Sequence, residues 1–476
     1  RAGFDPASHS GKALINVLEN YPRDELFQLD PDTLFGFAME AMRLIERPRI
    51  RALIRADRFD RFVSALVYVP KDRYDTAVRL KIGTYLAGVF EGRVSAAIPA
   101  YPEGPLARTH FIIGRNAGPT PVVDRAAIEA AIAGITATWS DRLAAIFRDR
   151  HPGVDGERLA ARYRDAFGAA YREAFSPDEA LSDIAFVETL SADRTQVVDL
   201  YRAAGDSPER ASLKVFALAS PVPLSRRVPM LENLGFTVSD ERTYRIAPAD
   251  GPVVYLHDMT IGRARGGAIE IDAADLRVEA AFEALLDARA DSDRFNQLVI
   301  EAGLDWGEVK ILRAYGRFLT QTGTPFHLDY LADALARHPG LARRLVDLFG
   351  LLFDPAGNSD TAAREAAGKA HSAAIRSDLD RVTNLDDDRI LRRFLNLIEA
   401  TVRTNAYQRD AGGQPRPTIA FKFESHAIDG LPLPRPLYEI FCHGPRVEGV
   451  HMRFGKVARG GIRWSDRPAD VRTEIL

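Results

Sequence analysis

The chain has 476 residues, of which 46% are hydrophobic and 27% are charged, and its formal net charge is −3. This near-neutral balance argues against a nucleic-acid-binding protein, which would carry a basic face. No apolar run approaches the roughly 20 residues that span a bilayer, and the polar opening residues do not form a signal peptide. The single cysteine, Cys442, excludes an intrachain disulfide framework and fits a reducing compartment. We therefore expect about three domains and a cytoplasmic location.

The two ends of the sequence suggest a piece of a longer polypeptide. The chain begins at Arg1 rather than at a methionine, and it ends at Leu476 within a pattern typical of an amphipathic helix. We therefore expect the last domain to be truncated.

The first part of the chain predicts a helical lead-in, residues 1–46, followed by an α+β unit, residues 47–118. The unit contains four strand-like runs and a helix, which predicts an antiparallel sheet with helices on one face. Arginines alternate with apolar residues from Arg49 to Arg55. We expect these arginines on the solvent face of the sheet, and a ligand-binding edge is the alternative.

Residues 119–208 predict a helical segment. Asp124 is a candidate N-cap. Six apolar residues from Ile128 to Ile146 recur every three or four positions, which predicts one long amphipathic helix. A second helix is predicted from Glu157 to Phe175.

Residues 209–290 predict a second α+β unit with a strand, a helix, two strands and a final helix. The residues from Ala268 to Ile271 are a candidate edge strand. The order resembles ACT-type modules, which bind amino acids at interfaces, and the resemblance implies an amino-acid effector and a homo-oligomer. A fold alone does not establish a ligand. The glycine-rich segment from Gly262 to Gly267 lacks the spacing of a phosphate loop, so it is interpreted as a turn whose arginines could bind an anion.

Residues 291–410 predict a helical linker domain, with helices continuing to Tyr407. Beyond a loop at residues 408–416, three runs alternate with period 2 and predict three strands, the last from Val447 to Phe454. Such strands would form the edge of an α/β domain, so residues 411–476 are interpreted as its beginning.

The segment after the last strand is the strongest candidate site. Gly460 and Gly461 permit close approach of the main chain to a ligand. Arg459 and Arg463 flank the pair, and an arginine can bind a carboxylate through two hydrogen bonds. The pattern favours a small anionic substrate such as a diacid. The alternative is a solvated turn with surface arginines.

The residues from Lys456 to Arg467, followed by Arg472 to Leu476, resemble the opening of the catalytic domain in the large NAD-dependent glutamate dehydrogenases of bacteria. Two earlier segments, Val228 to Phe236 and Phe295 to Tyr315, resemble the same family. Membership implies conversion of L-glutamate, NAD and water into 2-oxoglutarate, ammonia and NADH. It also implies the fold class: α+β, with ACT-like (ferredoxin-like) units joined by helical segments and followed by the first strands of an α/β dehydrogenase domain.

The resemblance implies a substrate-carboxylate site. Its residues would be Lys456, Arg459, Gly460, Gly461 and Arg463. Arg459 stands where smaller glutamate dehydrogenases have a carboxylate-binding lysine, so the charge is kept but the residue type differs. The family's catalytic lysine, catalytic acid and NAD-binding fold lie downstream. We therefore expect no catalytic, cofactor-binding or metal-binding residue within this chain, and NAD to be bound outside it.

Two other functions remain open at this point. Residues 1–410 could form an amino-acid-sensing and assembly module without catalysis of its own, or the parent could be a dehydrogenase for another amino acid.

Two other patterns are interpreted as structural. Cys442, His443 and His451 lack the spacing of a zinc site and are interpreted as strand residues. Ser425, His426 and Asp429 are close in sequence, which is not the spatial arrangement of a catalytic triad.

Overall fold

The structure, a computed structural model, describes residues 2–116, 118–357, 360–413, 415–455 and 471–475, with residues 272–275 and 474 described by their backbone only. The chain divides into two compact units: Arg1–Arg164 with Phe175–Asp178, and Asp165–Ala174 with Glu179–Leu476. None of the described helices combines the length and the apolar character that a bilayer crossing requires.

The first unit contains one four-stranded antiparallel sheet and seven helices among its described residues. The strands are β1 (Arg51–Ala56), β2 (Phe62–Pro70), β3 (Gly92–Ala100) and β4 (Leu106–Arg115). Their order in the sheet is β1-β2-β4-β3. The helices are α1 (His9–Glu19), α2 (Arg23–Gln28), α3 (Pro31–Glu46), α4 (Thr76–Val89), α5 (Arg125–Ile135), α6 (Trp139–Arg150) and α7 (Val154–Tyr163).

Helices cover both faces of this sheet rather than one. Ile82 of α4 and Ile128 of α5 share a core with Val63 and other residues of one face. Leu44 of α3 packs with Leu66 and its neighbours on the other face. Because α2 and α3 supply carboxylates there, the arginines of β1 are not on a solvent face, and that expectation is wrong.

The side chains of these arginines are instead held in ion pairs. Arg51, whose side chain is 19% exposed, pairs with Glu40 at 2.6 Å and with Glu129 at 3.0 Å. Arg55, at 13% exposed, makes two hydrogen bonds to Glu25. Charge neutralisation by these helices explains how polar residues are accommodated on a covered sheet face.

The long helix predicted between Ile128 and Ile146 is two helices. The Thr136 hydroxyl donates to the carbonyl of Ile132 at the end of α5. The side chain of Thr138 then caps α6 in a reciprocal capping box with Asp141. A threonine that caps a new helix ends the previous one, because the N-cap residue has extended backbone angles.

The helix predicted from Glu157 to Phe175 is also divided. Helix α7 ends at Tyr163, and α8 (Ala169–Ala174) begins after a short turn.

The second unit begins with another sheet of four antiparallel strands. They are β5 (Gln196–Tyr201), β6 (Arg210–Leu218), β7 (Phe236–Ile246) and β8 (Val254–Arg263), in the order β5-β6-β8-β7. Helices α9 (Pro177–Thr189), α10 (Leu224–Asn233) and α11 (Ile271–Leu286) accompany them. Strand β5 lies within the range that the sequence assigned to the helical segment 119–208.

The two sheets share one topology, ββαββα with the same strand order. Moving the first strand to the end would give βαββαβ, the ferredoxin-like order. The predicted ACT-like fold of both units is therefore confirmed. In each unit, the first strand of the chain replaces the strand that comes last in the ferredoxin-like order.

The predicted edge strand from Ala268 to Ile271 is wrong. Gly266 and Gly267 adopt positive φ angles of 73° and 90° and turn the chain away from β8. The backbone N–H of Ile269 then donates to the carbonyl of Pro208, and α11 begins at Ile271.

The remainder of the second unit joins a set of helices to a third sheet. The helices are α12 (Leu298–Glu301), α13 (Trp306–Gln321), α14 (Leu328–Arg337), α15 (Pro339–Phe353), α16 (Thr361–Leu379) and α17 (Leu385–Ala400). The strands are β9 (Thr401–Thr404), β10 (Ile419–Glu424), β11 (Tyr438–Gly444) and β12 (Val447–Arg453), and a last helix, α18 (Val471–Ile475), follows. The sheet is antiparallel in the order β12-β11-β10-β9.

Strand β9 was missed in the sequence, where helices were predicted to continue to Tyr407. Helix α17 ends at Ala400, because the backbone of Thr401 is extended, and the hydroxyl of Thr401 donates to the Leu397 carbonyl. Thr401 and Thr404 then pair with Phe423 and Phe421 of β10. The β-branched threonines suit an extended chain, and the pairing with β10 decides that these residues form a strand rather than a continued helix.

Helix α13 lies against the third sheet. The ring of Tyr315 stacks on Phe421 at 4.2 Å, and Phe318 stacks on Phe423 at 4.4 Å. These side chains belong to one hydrophobic core that extends from the second ACT-like sheet to the third sheet. The third sheet is therefore fixed against its helices.

Candidate functional site

The five residues predicted to bind the substrate carboxylate lie outside the described residues. They are Lys456, Arg459, Gly460, Gly461 and Arg463. The structure does describe the chain on either side, which is β12 before the segment and α18 after it. We call β11, β12 and α18 together the site base.

Strands β11 and β12 form a regular hairpin at the sheet edge. Glu439 lies opposite Met452, and His443 lies opposite Glu448. Phe441 of β11 is fully buried in the core. This packing fixes where the chain leaves the sheet at the end of β12.

Helix α18 is attached to the same hairpin by a buried ion pair. The Nη2 atom of Arg472 is 2.8 Å from Oε1 of Glu439, and its Nε atom is 3.2 Å from Oε2. The side chains are 2% and 0% exposed, respectively. A two-point contact of this kind fixes orientation as well as distance.

Further polar contacts extend from this pair into the sheet. The backbone N–H of Arg472 donates to Oε1 of Gln321, whose Nε2 donates to Glu448. Glu448 also contacts His443 at 3.2 Å, and the other ring nitrogen of His443 is 3.2 Å from Asp291. Helix α13 and the start of the linker are thereby tied to the site base.

The two carboxylates determine the charge of His443. Burial lowers the pKa of His443, but hydrogen bonds and ion pairs with Asp291 and Glu448 outweigh burial, so its pKa lies above the ordinary value. Burial raises the pKa of Asp291, but the hydrogen bond with His443 and the nearby charge of Arg313 outweigh burial, so its pKa lies below the ordinary value. A positive His443 between two negative carboxylates is the consistent charge state.

The residues weighed as a metal cluster are strand residues. Cys442 and His443 lie in β11, and His451 lies in β12. Within the described ranges, no group of three side chains is placed to hold a metal ion. Ser425 is fully buried while His426 and Asp429 are exposed, so these residues do not form a catalytic triad.

The glycine-rich turn after β8 faces a polar cleft. Arg263 pairs with Glu301 at 2.8 Å, and Arg265 donates to the Ala336 carbonyl and to Gln297. The cleft has a volume of about 580 Å³, which is within the range of small-molecule sites. Its lining contains both signs of charge, including Arg265, Arg294, Glu232, Glu301 and Asp333.

Glu301 leaves an acceptor in this cleft. Its side chain is 9% exposed, and its Oε1 atom accepts no hydrogen bond from the described residues. Buried polar atoms normally have a partner, so a donor from a small molecule or water fits here.

A second buried polar cluster lies on the other face of the second ACT-like sheet. Lys214 of β6 donates to Asp183 of α9 at 2.6 Å, and the Tyr171 hydroxyl donates to the same carboxylate at 2.6 Å. Burial raises the pKa of Asp183, against the opposing effects of Lys214 and Tyr171. This cluster was missed in the sequence, because Lys214 alternates with Leu213 and Val215 and such a position in an antiparallel sheet usually faces water. A carboxylate among the apolar residues of the preceding helix, Asp183, could have indicated it.

His257 on the same sheet is held neutral. Its Nε2 accepts the backbone N–H of Val222 at 3.1 Å, and its Nδ1 is 2.9 Å from the Thr243 hydroxyl. Burial lowers the pKa of His257 to about 4. A protonated ring would lose the acceptor that the Val222 N–H requires.

The pKa of Lys310 on α13 is also shifted. Burial lowers the pKa of its amine to about 8. The amine donates to the Arg416 carbonyl at 2.8 Å, so it holds the loop before β10 against the helix.

Models of one protein family match the chain in six consecutive segments. They describe glutamate dehydrogenase helical motif 1 at residues 1–47, the ACT2 domain at 51–140, helical motif 2 at 147–190, the ACT3 domain at 195–274 and helical motif 3 at 290–355. The model of the bacterial NAD-glutamate dehydrogenase catalytic domain matches residues 374–476.

Curated relatives match along the entire chain. An NAD-specific glutamate dehydrogenase of Halomonas elongata is 40% identical over 482 residues, and one of Pseudomonas aeruginosa is 39% identical over 476 residues. The chain belongs to the NAD-specific glutamate dehydrogenase family. A member from Mycobacterium tuberculosis is 39% identical over 493 residues.

Family membership confirms the resemblance that the sequence motifs suggested. The matched ACT2 and ACT3 domains coincide with the first and second sheets, and the catalytic-domain model includes the third sheet. All three bacterial relatives cover 100% of this chain, whereas the chain spans only 29–30% of their length. The site base thus lies within the residues that match the catalytic-domain model.

Proposed function

We propose that this chain is part of an NAD-dependent glutamate dehydrogenase, which converts L-glutamate, NAD and water into 2-oxoglutarate, ammonia and NADH. The observation that carries the proposal is the match of the whole chain to bacterial NAD-specific glutamate dehydrogenases at about 40% identity. The catalytic-domain match at residues 374–476 supports it independently.

The proposed contribution of this chain is to bind and orient glutamate. Arg459 and Arg463 would hold the substrate carboxylate, with Lys456 beside them, and Gly460 and Gly461 would let the backbone approach. NAD accepts a hydride when it is bound. The sequence contains no glycine pattern of a dinucleotide site, so we assign NAD binding, the catalytic lysine and the catalytic acid to parts of the enzyme outside this chain.

The test is glutamate-dependent NAD reduction by the full-length enzyme, comparing the wild type with Arg459→Ala and Arg463→Ala. Loss of one partner of a buried charge pair costs about 2–5 kcal/mol, so KM for glutamate should rise by at least about 30-fold. Arg446→Ala, which removes an exposed arginine from the β11–β12 turn, is the matched control and should leave KM unchanged.

Two results would contradict the proposal. Unchanged constants in both variants would remove the assignment of the carboxylate site. A folded wild type that reduces NAD with another amino acid but not with glutamate would favour the alternative of a different amino-acid dehydrogenase.

The second candidate function is regulation by an amino acid bound to residues 1–410. We infer a division into 1–46, 47–118, 119–208, 209–290 and 291–410 for this regulatory and assembly part, with 411–476 opening the catalytic domain. A homo-oligomeric cytoplasmic enzyme fits this arrangement. The cleft beside Arg265 supports an effector: its cations suit a carboxylate, and the unpaired oxygen of Glu301 suits an ammonium group.

Calorimetric titration of the full-length enzyme with each common L-amino acid tests this second function. A binder other than glutamate should lose affinity at least about tenfold in Glu301→Gln, because the charged acceptor for its ammonium is removed. Wild-type affinity in that variant would exclude the cleft, and the absence of any binder would argue against an amino-acid effector.

A further inference from the structure

Lys310 of α13 is a buried lysine that has no ion-pair partner among the residues that the structure describes. Only 7% of the residue is exposed, and its amine donates one hydrogen bond, to the Arg416 carbonyl at 2.8 Å. The ring of Trp306 lies 5.9 Å from the amine nitrogen, at the outer limit of a cation–π contact. Because buried charges are normally paired, these surroundings favour the neutral amine over the ammonium ion.

Lys310 also lines a cleft that can admit a small molecule. The cleft lies between α13, α15 and the residues before β10, and its volume is about 740 Å³, which is within the range of small-molecule sites. Apolar side chains, among them Ile311, Val346 and Leu351, form part of its walls. A reactant can therefore approach this lysine without unfolding of the chain.

The amine is suited to act as a nucleophile. Burial, together with the charge of Arg313, lowers the pKa of Lys310 to about 8, although Asp305 acts in the opposite direction. At pH 7.5 about a quarter of such amines are neutral, compared with about one in a thousand for an ordinary lysine. Only the neutral amine has a lone pair that can bond to carbon. Desolvation of a lysine in a cleft is a known route to lysines that form Schiff bases.

The charges of the cleft determine which electrophiles suit the amine. Its lining has one other cation, Arg364, and four carboxylates, which belong to Asp305, Glu308, Asp347 and Asp354. Arg343 pairs with the carboxylate of Glu308, so a negative excess remains. Acyl phosphates bring negative charge, which this lining repels, and carbon dioxide would leave a carbamate anion beside the same carboxylates. A neutral aldehyde adds no negative charge.

We propose that Lys310 is a covalent binding site for small neutral aldehydes, which it holds as imines in the cleft beside α13. The amine nitrogen attacks the carbonyl carbon, and a C=N bond replaces the C=O bond. The aldehyde oxygen leaves as water with the two amine hydrogens, so the step needs no oxidant or reductant. The site is separate from the proposed dehydrogenation of glutamate and does not rest on it.

The test incubates the full-length enzyme with benzaldehyde at pH 7.5 and reduces the imine with cyanoborohydride. Peptide mass spectrometry then gives the labelling rate of each lysine. Lys310 should be labelled at least about tenfold faster than Lys369, an exposed lysine of α16, because the neutral fractions differ about a hundredfold and a weaker base reacts more slowly. The ratio should fall as the pH approaches about 10, where ordinary lysines also lose their protons.

Two matched comparisons test the choice of ligand. The anionic 4-carboxybenzaldehyde should label Lys310, relative to Lys369, at least about threefold less than benzaldehyde does, because the carboxylates of the cleft repel it. Asp347→Asn removes one of these charges from an exposed position and should narrow that difference. Lys310→Met should lose the labelled peptide and leave the labelling of Lys369 unchanged.

Labelling of Lys310 no faster than that of Lys369 at pH 7.5 would overturn the proposal and leave Lys310 as a residue that only holds the Arg416 carbonyl. Equal ratios for the neutral and the anionic aldehyde would overturn the restriction to neutral ligands. NAD reduction is not part of the measurement, so the proposed function can fail while this inference stands, and the reverse.

Discussion

Replacing Lys214 by methionine tests the buried cluster of the second ACT-like sheet. The change removes the ammonium that lies 2.6 Å from Asp183 and keeps most of the apolar stem. Asp183 has 0% side-chain exposure and retains the Tyr171 hydroxyl as a donor. The variant thus leaves a buried carboxylate without its cation.

The cost of the unpaired charge has an upper limit. An unpaired Asp183 takes up a proton once its ionised form is less favourable, so the part of the loss that comes from the unpaired charge cannot exceed the free energy of protonation. With an unfolded-state pKa of about 3.9 and about 1.36 kcal/mol per pH unit, the limit is about 4 kcal/mol at pH 7 and about 1.5 kcal/mol at pH 5. We expect a loss of about 3–4 kcal/mol at pH 7, close to this limit.

Native-state hydrogen exchange of the β5 and β6 amides is the suitable assay, because it reports the local stability of this sheet and does not require the two compact units to unfold together. Lys214→Met with Asp183→Asn should recover stability to within about 1 kcal/mol, since no unpaired charge remains. Arg376→Met, which breaks a half-exposed pair with Glu399, should cost at most about 1 kcal/mol. A loss in Lys214→Met below about 1 kcal/mol, or one equal at pH 5 and pH 7, would refute the reasoning.

Gly316→Ala should destabilise α13 by about 1–3 kcal/mol in the same assay, because its Cβ would lie 2.6 Å from the buried ring of Phe295. In Gly350→Ala the new Cβ would lie 3.6 Å from its nearest atom, so this substitution should stabilise α15 by up to about 1 kcal/mol. A change of stability in the same direction for both variants would contradict the reasoning. The pKa of His443 is raised in the folded state, so its stabilisation is complete below about pH 6.5 and is lost as pH rises through the folded pKa. His443→Gln should remove that slope, and a retained slope would disprove its origin. The pKa of His257 is lowered to about 4, so stability should fall as pH drops from about 6.5 towards 4; His257→Asn should abolish this loss, measured by thermal unfolding at each pH.

Local patterns in the sequence determined the elements that depend on neighbouring residues. Helix α10 ends before Gly235, because glycine adopts the positive φ of 90° found there. The period-2 alternation after the loop at residues 408–416 correctly predicted the last strand, β12. The segment from Lys456 to Arg467 correctly indicated the family, because its residue types and spacing are distinctive over a short stretch.

Tertiary contacts decided what no local pattern contains. Whether Arg51 and Lys214 face water depended on helices that pack on the sheets from elsewhere in the chain. Strand β9 exists because β10, some 15 residues later, pairs with it. The Glu439–Arg472 contact joins residues 33 apart in sequence, and its two members look like ordinary surface residues in a one-dimensional pattern. Burial and charge pairing are properties of the folded chain, whereas periodicity and turn chemistry depend only on residues that are close together in the sequence.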